Sequence, residues 1–344
     1  MSLVKALIVD DSAFVRKVIR EILSSSPYIE VVGQAKNGVD ALELVETLKP
    51  DVVTCDLNMP ELDGVGFVKK QMARRRLPII ILTASPQDTG QVIEALEAGA
   101  IDFVQKPTAL ASDTLREIRE ELIEKVKSAA KATSRVGPTV AATARPVTIP
   151  SRAATKVDIV VLGISTGGPQ ALRYLIPQFA RDFPVPLVVV LHMPVGYTGP
   201  FAEKLGEISQ LAMKEAYEGC PVVARQALLA PAGRHLFFQR DAAGQVKVHL
   251  AHKPMDKPHK PSVDVMFQSA AETYGSRVLG VVMTGMGNDG TQGAAWIKAQ
   301  GGMILTESED SCIIYGMPRC VVESGLSDGE AALTSMAMEI NKRL

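Results

Sequence analysis

Cysteine is scarce in this 344-residue chain: four residues, Cys55, Cys220, Cys312 and Cys320, none in a Cys-x-x-Cys pair. That excludes a disulfide scaffold and signals neither a zinc knuckle nor a dithiol redox pair. Long apolar runs are missing too. Nothing approaches the roughly eighteen apolar residues of a membrane span. The opening MSLVKALIVDDSAF ends its short apolar stretch in two aspartates, unlike a signal peptide. A cytoplasmic protein without membrane insertion is expected. Excess charge is also absent, at a formal net −1. No global positive field suggests nucleic acid, and the second half shows no helix-turn-helix pattern.

What is present is globular: 47% hydrophobic and 22% charged residues, which excludes a mostly disordered chain. At about 150 residues per domain, two domains are expected. Charge is unevenly distributed. Residues 125–155 carry six Lys or Arg and no acid, and the tract KATSRVGPTVAATARPVTIPSRAATK has no periodicity. It reads as a flexible basic linker, 127–155, with a docking role for the basic residues as the alternative.

The linker separates two stretches in which apolar strands alternate with helices. Residues 1–126 contain five strand–helix pairs, which argues for a parallel sheet covered on both faces. Residues 156–344 resume the alternation, interrupted by a β-rich stretch at 221–251. There QRDAAGQVKVHL reads as a hairpin. The expected fold class is α/β, with two doubly wound parallel-sheet domains.

Ligands of parallel sheets bind outside the carboxyl ends of the strands. In the first domain those ends carry Asp10 and Asp11, then Asp56, Thr83 and Lys106. Three converging carboxylates repel one another and call for a hard divalent cation such as Mg²⁺. Lys106 and Thr83 offer a charge and a hydroxyl to phosphoryl oxygens. The runs LIVDDS, DVVTCDLNMPELDG, ILTAS and GAIDFVQKP resemble a response-regulator receiver domain, a flavodoxin-like fold. The resemblance implies phosphorylation of Asp56 by a histidine kinase. It implies a metal held by Asp10, Asp11, Asp56 and the Asn58 carbonyl, with Thr83 and Lys106 as switch and phosphate-pairing residues. Phe103 falls at the family's switch aromatic; an ordinary core aromatic is the alternative.

In the second domain, GISTGGP follows a strand and opens a helix. Gly163-x-Ser165-x-Gly167 fits a nucleophile elbow. A phosphate or dinucleotide cradle is the competing reading, and the missing G-x-G-x-x-G spacing counts against it. A serine nucleophile needs a base. Of five histidines (192, 235, 249, 252, 259), His192 alone directly follows a predicted parallel strand, and imidazole titrates in the useful range. Asp289, on the Gly-rich loop after another strand, is placed to orient that base. Its alternative is a cap on the helix starting at Gly290. The backbone N–H of Met286 is a candidate oxyanion donor.

The runs GISTGGP, LHMPVGYTGPFAEKL, PSVDVMFQSAA, VVMTGMGNDGTQGA and YGMP resemble the catalytic domain of the CheB family of chemotaxis protein-glutamate methylesterases, a Rossmann-like domain with a β-hairpin. The resemblance implies a triad of Ser165, His192 and Asp289, supported by Thr166 and Met286 and needing no cofactor. It implies demethylation of glutamate methyl esters on chemoreceptors with release of methanol, and deamidation of receptor glutamines. A receiver joined to a hydrolase suggests control by phosphorylation, with occlusion of the triad by the receiver as the expected device. The alternatives are an esterase of a non-motility chemosensory pathway and a receiver carrying a non-catalytic interaction module.

Overall fold

The computed structural model describes residues 3–84, 86–106, 112–132 and 157–344. The chain divides into two units, Met1–Val136 and Gly137–Leu344. Beyond residue 132 the expected linker lies outside the described residues.

The first unit alternates strictly. Its strands are β1 (Val4–Val9), β2 (Ile29–Ala35), β3 (Val52–Asp56), β4 (Ile79–Thr83) and β5 (Asp102–Gln105). Its helices are α1 (Ala13–Ser24), α2 (Gly38–Leu48), α3 (Gly64–Arg74), α4 (Thr89–Ala98) and α5 (Ser112–Ala132). The sheet order is β2-β1-β3-β4-β5, and every pairing is parallel, the doubly wound order of flavodoxin-like folds. Continuous β-branched runs such as Ile79–Thr83 are buried throughout, as a strand covered on both faces must be. Helix starts are set by side chains: Ser12, Asn37 and Asp63 cap α1, α2 and α3 by accepting backbone N–H groups.

One boundary differs from the sequence reading. Helix α5 continues through 127–132, which the sequence reading gives to the linker. Leu122, Val126 and Ala129 recur at helical spacing and are all buried, so the apolar stripe extends the helix past residue 126.

The second unit has a seven-stranded sheet. Its strands are β6 (Ile159–Ile164), β7 (Leu187–Leu191), β8 (Ala212–Glu215), β9 (Gln226–Leu229), β12 (Val278–Val282), β13 (Met303–Glu307) and β14 (Glu330–Ala331). Between them β10 (His235–Arg240) and β11 (Val246–Ala251) form the antiparallel hairpin expected from the sequence. The helices are α6 (Gly168–Leu175), α7 (Thr198–Glu207), α8 (Val263–Tyr274), α9 (Thr291–Ala299), α10 (Met317–Glu323) and α11 (Leu333–Arg343). The order β14-β13-β12-β6-β7-β9-β8 is all parallel. From β6 the chain winds to one side through β7, then returns through β12 on the other. The switch point between β6 and β12 is where such sheets open a crevice.

Candidate active site and phosphoacceptor pocket

β6 and β7 are in register through Ile164 and Leu191, so their ends lie side by side. The next residues are Ser165 and His192, and the ladder extends one step, with the His192 N–H donating to the Ile164 carbonyl at 3.2 Å. On the other side of β6, the Ser165 N–H donates to the carbonyl of Thr284, just past β12. Two strand neighbours thus fix the serine turn. The turn closes when Gly168 N–H donates to the Ser165 carbonyl at 2.7 Å. Gly167, at φ +79°, supplies the left-handed step before α6, and Pro169 fits the first turn of that helix.

Asp289 completes the edge. Its Oδ2 lies 2.8 Å from His192 Nε2. It does not cap the helix that follows it; it reaches the start of α8 instead. Its carboxylate accepts from Val263 N–H at 2.7 Å, Asp264 N–H at 2.9 Å and the Ser262 hydroxyl at 2.8 Å. Burial opposes its charge, but the His192 ring and these backbone donors override burial and hold the carboxyl well below the usual carboxylate range. Asp264 repays the exchange, accepting from Gly290 and Gly293 N–H groups at the start of α9. Each acid therefore serves the other's helix.

With Nε2 committed to Asp289, His192 has Nδ1 left. That atom is buried and has no hydrogen-bond partner among the described residues. His259 stacks on the ring, centroids 4.1 Å apart and planes 22° from parallel. The other histidines do different work. His235 is buried and lowered in pKa by desolvation. It bridges the Pro254 carbonyl and the Ser262 N–H. His249 pairs with Glu218 on the hairpin surface.

The loop after β12 is packed closely. A Cβ at Gly285 would sit 2.4 Å from Met317 Sδ and 2.8 Å from Ser165 Cβ. The Gly285 carbonyl accepts from Gly316 and Met317 N–H groups, which anchors the peptide leading to half-buried Met286. Thr166 is buried, and its carbonyl accepts from the Thr284 hydroxyl at 3.1 Å.

The first unit also gathers its expected residues. One oxygen each from Asp10, Asp11 and Asp56 falls within 4.8 Å of the others. Lys106 Nζ lies 2.7 Å from Asp10 and 2.8 Å from Asp56. Burial raises the Asp56 carboxyl above its ordinary range despite that ammonium. Three hard oxygen donors crowded at one edge fit a divalent cation. Gly64 lets the next segment approach: a Cβ there would be 2.2 Å from the Asp56 carbonyl oxygen. Thr83 and Asn58 both donate to Asp88, at 3.2 and 3.3 Å. Phe103 is buried.

Comparison with known proteins shows the family. Residues 160–340 match the family model of the CheB methylesterase and residues 6–119 that of the response regulator receiver domain. The chain belongs to the CheB methylesterase family. It is 44% identical over 338 residues to protein-glutamate methylesterase/protein-glutamine glutaminase 5 of Myxococcus xanthus, covering 98% of this chain and 97% of that one. The corresponding protein of Symbiobacterium thermophilum is 40% identical, over 98% and 96% of the two chains. The crystal structure of the Thermotoga maritima CheB methylesterase catalytic domain is 37% identical with a TM-score of 0.53. That match covers 55% of this chain and 99% of that one.

Within this CheB-family chain, every residue singled out from the sequence lies at one of the two strand edges or in its core. The sequence reading misses four neighbours of those residues: His259, Ser262, Thr284 and Asp88. Ser262 and Thr284 carried a usable signal, as polar residues immediately before a helix and after a buried strand. His259 sits in HKPMDKPHKPS, where no periodicity indicates direction. Among the described residues, no helix is long and apolar enough to cross a membrane.

Proposed function

We propose that the second unit is a serine hydrolase acting on glutamate methyl esters of chemoreceptor proteins, releasing methanol, and on receptor glutamines, releasing ammonia. The observation that carries this reading is the 2.8 Å bond between His192 Nε2 and Asp289 at the strand edge next to Ser165. Asp289 fixes the ring with its proton on Nε2, so Nδ1 is the base. Nδ1 takes the Ser165 hydroxyl proton as Oγ attacks the ester carbonyl. The imidazolium that forms is stabilised by the buried Asp289 charge. The tetrahedral oxyanion is met by the Met286 N–H, and Thr166 supports the turn. Collapse expels methanol, which takes the proton back from Nδ1. Water, deprotonated by the same nitrogen, then hydrolyses the acyl-enzyme, leaving glutamate and free Ser165. With glutamine the leaving group is ammonia.

The receiver unit makes this activity responsive to a histidine kinase. Asp10, Asp11, Asp56 and the Asn58 carbonyl would hold Mg²⁺, which shields the carboxylate and phosphoryl charges from each other. Asp56 is the nucleophile toward phosphorus, Lys106 pairs a phosphoryl oxygen, and Thr83 leaves Asp88 to meet another. Phe103 is the switch aromatic that accompanies this movement. The kinase and the receptors place the reaction in the cytoplasm.

The test is methanol release from membranes carrying methyl-esterified receptors. Ser165→Ala is expected to reduce kcat by about a thousandfold or more. Release at the wild-type rate by that variant would refute the serine mechanism.

A further inference from the structure

Glu307 has no part in the proposed chemistry, yet it is fully buried at the end of β13, beside the catalytic edge. Its Oε2 accepts the Thr284 N–H at 2.9 Å, and its Oε1 accepts the Ser311 hydroxyl at 2.9 Å. Thr284 is the hub of the site. Its carbonyl accepts the Ser165 N–H at 3.0 Å, and its hydroxyl donates to the Thr166 carbonyl at 3.1 Å. The same hydroxyl accepts the Ile314 N–H at 2.9 Å, and the Ile314 carbonyl accepts the N–H of Gly285, next to Met286. One residue thus touches both the nucleophile turn and the segment supporting the oxyanion loop, and a buried carboxylate holds that residue from beneath.

We propose that Glu307 is a positioning residue for the Ser165 turn, acting through Thr284. This rests on Ser165 being the nucleophile. When ionised, Glu307 makes a charge-assisted bond to the Thr284 N–H, which is stronger than the bond a neutral acid makes. When protonated it still accepts that N–H, but more weakly, and the turn is held less firmly.

The surroundings bring the change of state into the working range. Burial, helped by the charge of Asp310, raises the carboxyl to about 7 against the bonds from the Thr284 N–H, the Ser311 hydroxyl and the Cys312 thiol. The charges on the elements packed against β13 are engaged elsewhere. Lys298 of α9 pairs with Asp328, and Arg319 of α10 with Glu323. Lys342 and Arg343 of α11 pair with Glu339. Glu330 of β14 accepts from Tyr315.

The test is the pH dependence of kcat for methanol release by the full chain, comparing wild type with Glu307→Gln. The amide keeps the shape and still accepts the Thr284 N–H, but it cannot ionise. Taking the ratio of the two kcat values isolates the contribution of the Glu307 carboxylate. The ratio is expected near one at about pH 5.5 and roughly tenfold at about pH 8.5, with KM unchanged. Ser311→Ala removes a bond that favours the ionised form, so the midpoint of its own ratio to Glu307→Gln moves to higher pH. A ratio that stays flat, or a change in KM alone, overturns the proposal. Ser165→Ala separates the two readings. If it is inert while the ratio is flat, only the role of Glu307 fails; if it is active, the nucleophile assignment fails and this proposal with it.

Discussion

In the proposed mechanism one side chain, Asp289, is both catalytic and architectural. Its two oxygens take up an imidazole N–H, a hydroxyl and two backbone N–H groups, so the carboxylate is ionised and saturated. Asp289→Asn would turn an amide N–H₂ toward some of those donors. We expect kcat to fall about a thousandfold or more, because the imidazolium loses its counter-charge. A drop in melting temperature should accompany it, because the start of α8 loses a partner. An Asn variant with wild-type kcat would contradict the assignment. His259 offers a milder case. It covers a face of the His192 ring, so His259→Ala should reduce kcat several-fold while His259→Phe, which keeps a flat ring, restores most of it. Equal losses in both variants would show that stacking is not its contribution. Ser165, His192 and Asp289 are legible in the sequence as candidates because each follows an apolar strand. His259 is not, because its contact depends on the path of a loop without periodicity.

The elements reach the site through close approach as much as through hydrogen bonds. Gly163 lies at the end of β6, where a Cβ would meet Val263 Cγ1 at 2.3 Å and Cγ2 at 2.7 Å. Val263 opens α8, the helix whose first N–H groups bind Asp289. Gly163→Ala should therefore displace α8 and Asp289 together, costing about 1–3 kcal/mol of stability as well as activity. Thermal melts and methanol release on the same sample check both, and an unaffected variant would argue that α8 moves freely. The glycines of GISTGGP are visible in the sequence, but the partner that requires Gly163 is not, since Val263 lies a hundred residues away. Long elements were legible for a related reason: the alternation of apolar strands with helices expected for residues 1–126 is the one observed. Short ones were not. β8 and β14 hold four and two residues, and α10 has seven, too few to establish a period. Their existence is set by the sheet and crevice they complete.

Across the whole molecule, buried ionisable groups set how stability follows pH. Burial raises the folded pKa of Glu307 from the ordinary glutamate value to about 7. Such a group stabilises the fold fully below the unfolded value and loses that contribution as pH rises through the folded one. The loss amounts to about 3 kcal/mol at most. Glu307→Gln should flatten this part of the profile between about pH 4.5 and 8 in chemical denaturation; an unchanged slope would mean that Glu307 ionises normally. Asp289 acts in the opposite direction. Its lowered pKa adds stability above the ordinary carboxylate range, and this is lost as pH falls through the folded value.

In the proposed function the two units are coupled through the state of Asp56. The proposal is that one chain joins a serine esterase to a phosphorylatable receiver that controls it. The most direct test measures methanol release from methylated receptor membranes by the full chain, with Mg²⁺, with and without a small phosphodonor. It compares wild type, Asp56→Asn and Ser165→Ala. The phosphodonor is expected to raise the wild-type rate and to leave Asp56→Asn at its basal rate, and Ser165→Ala is expected to be inert throughout. A phosphodonor response that survives Asp56→Asn, or methanol release that survives Ser165→Ala, would contradict it.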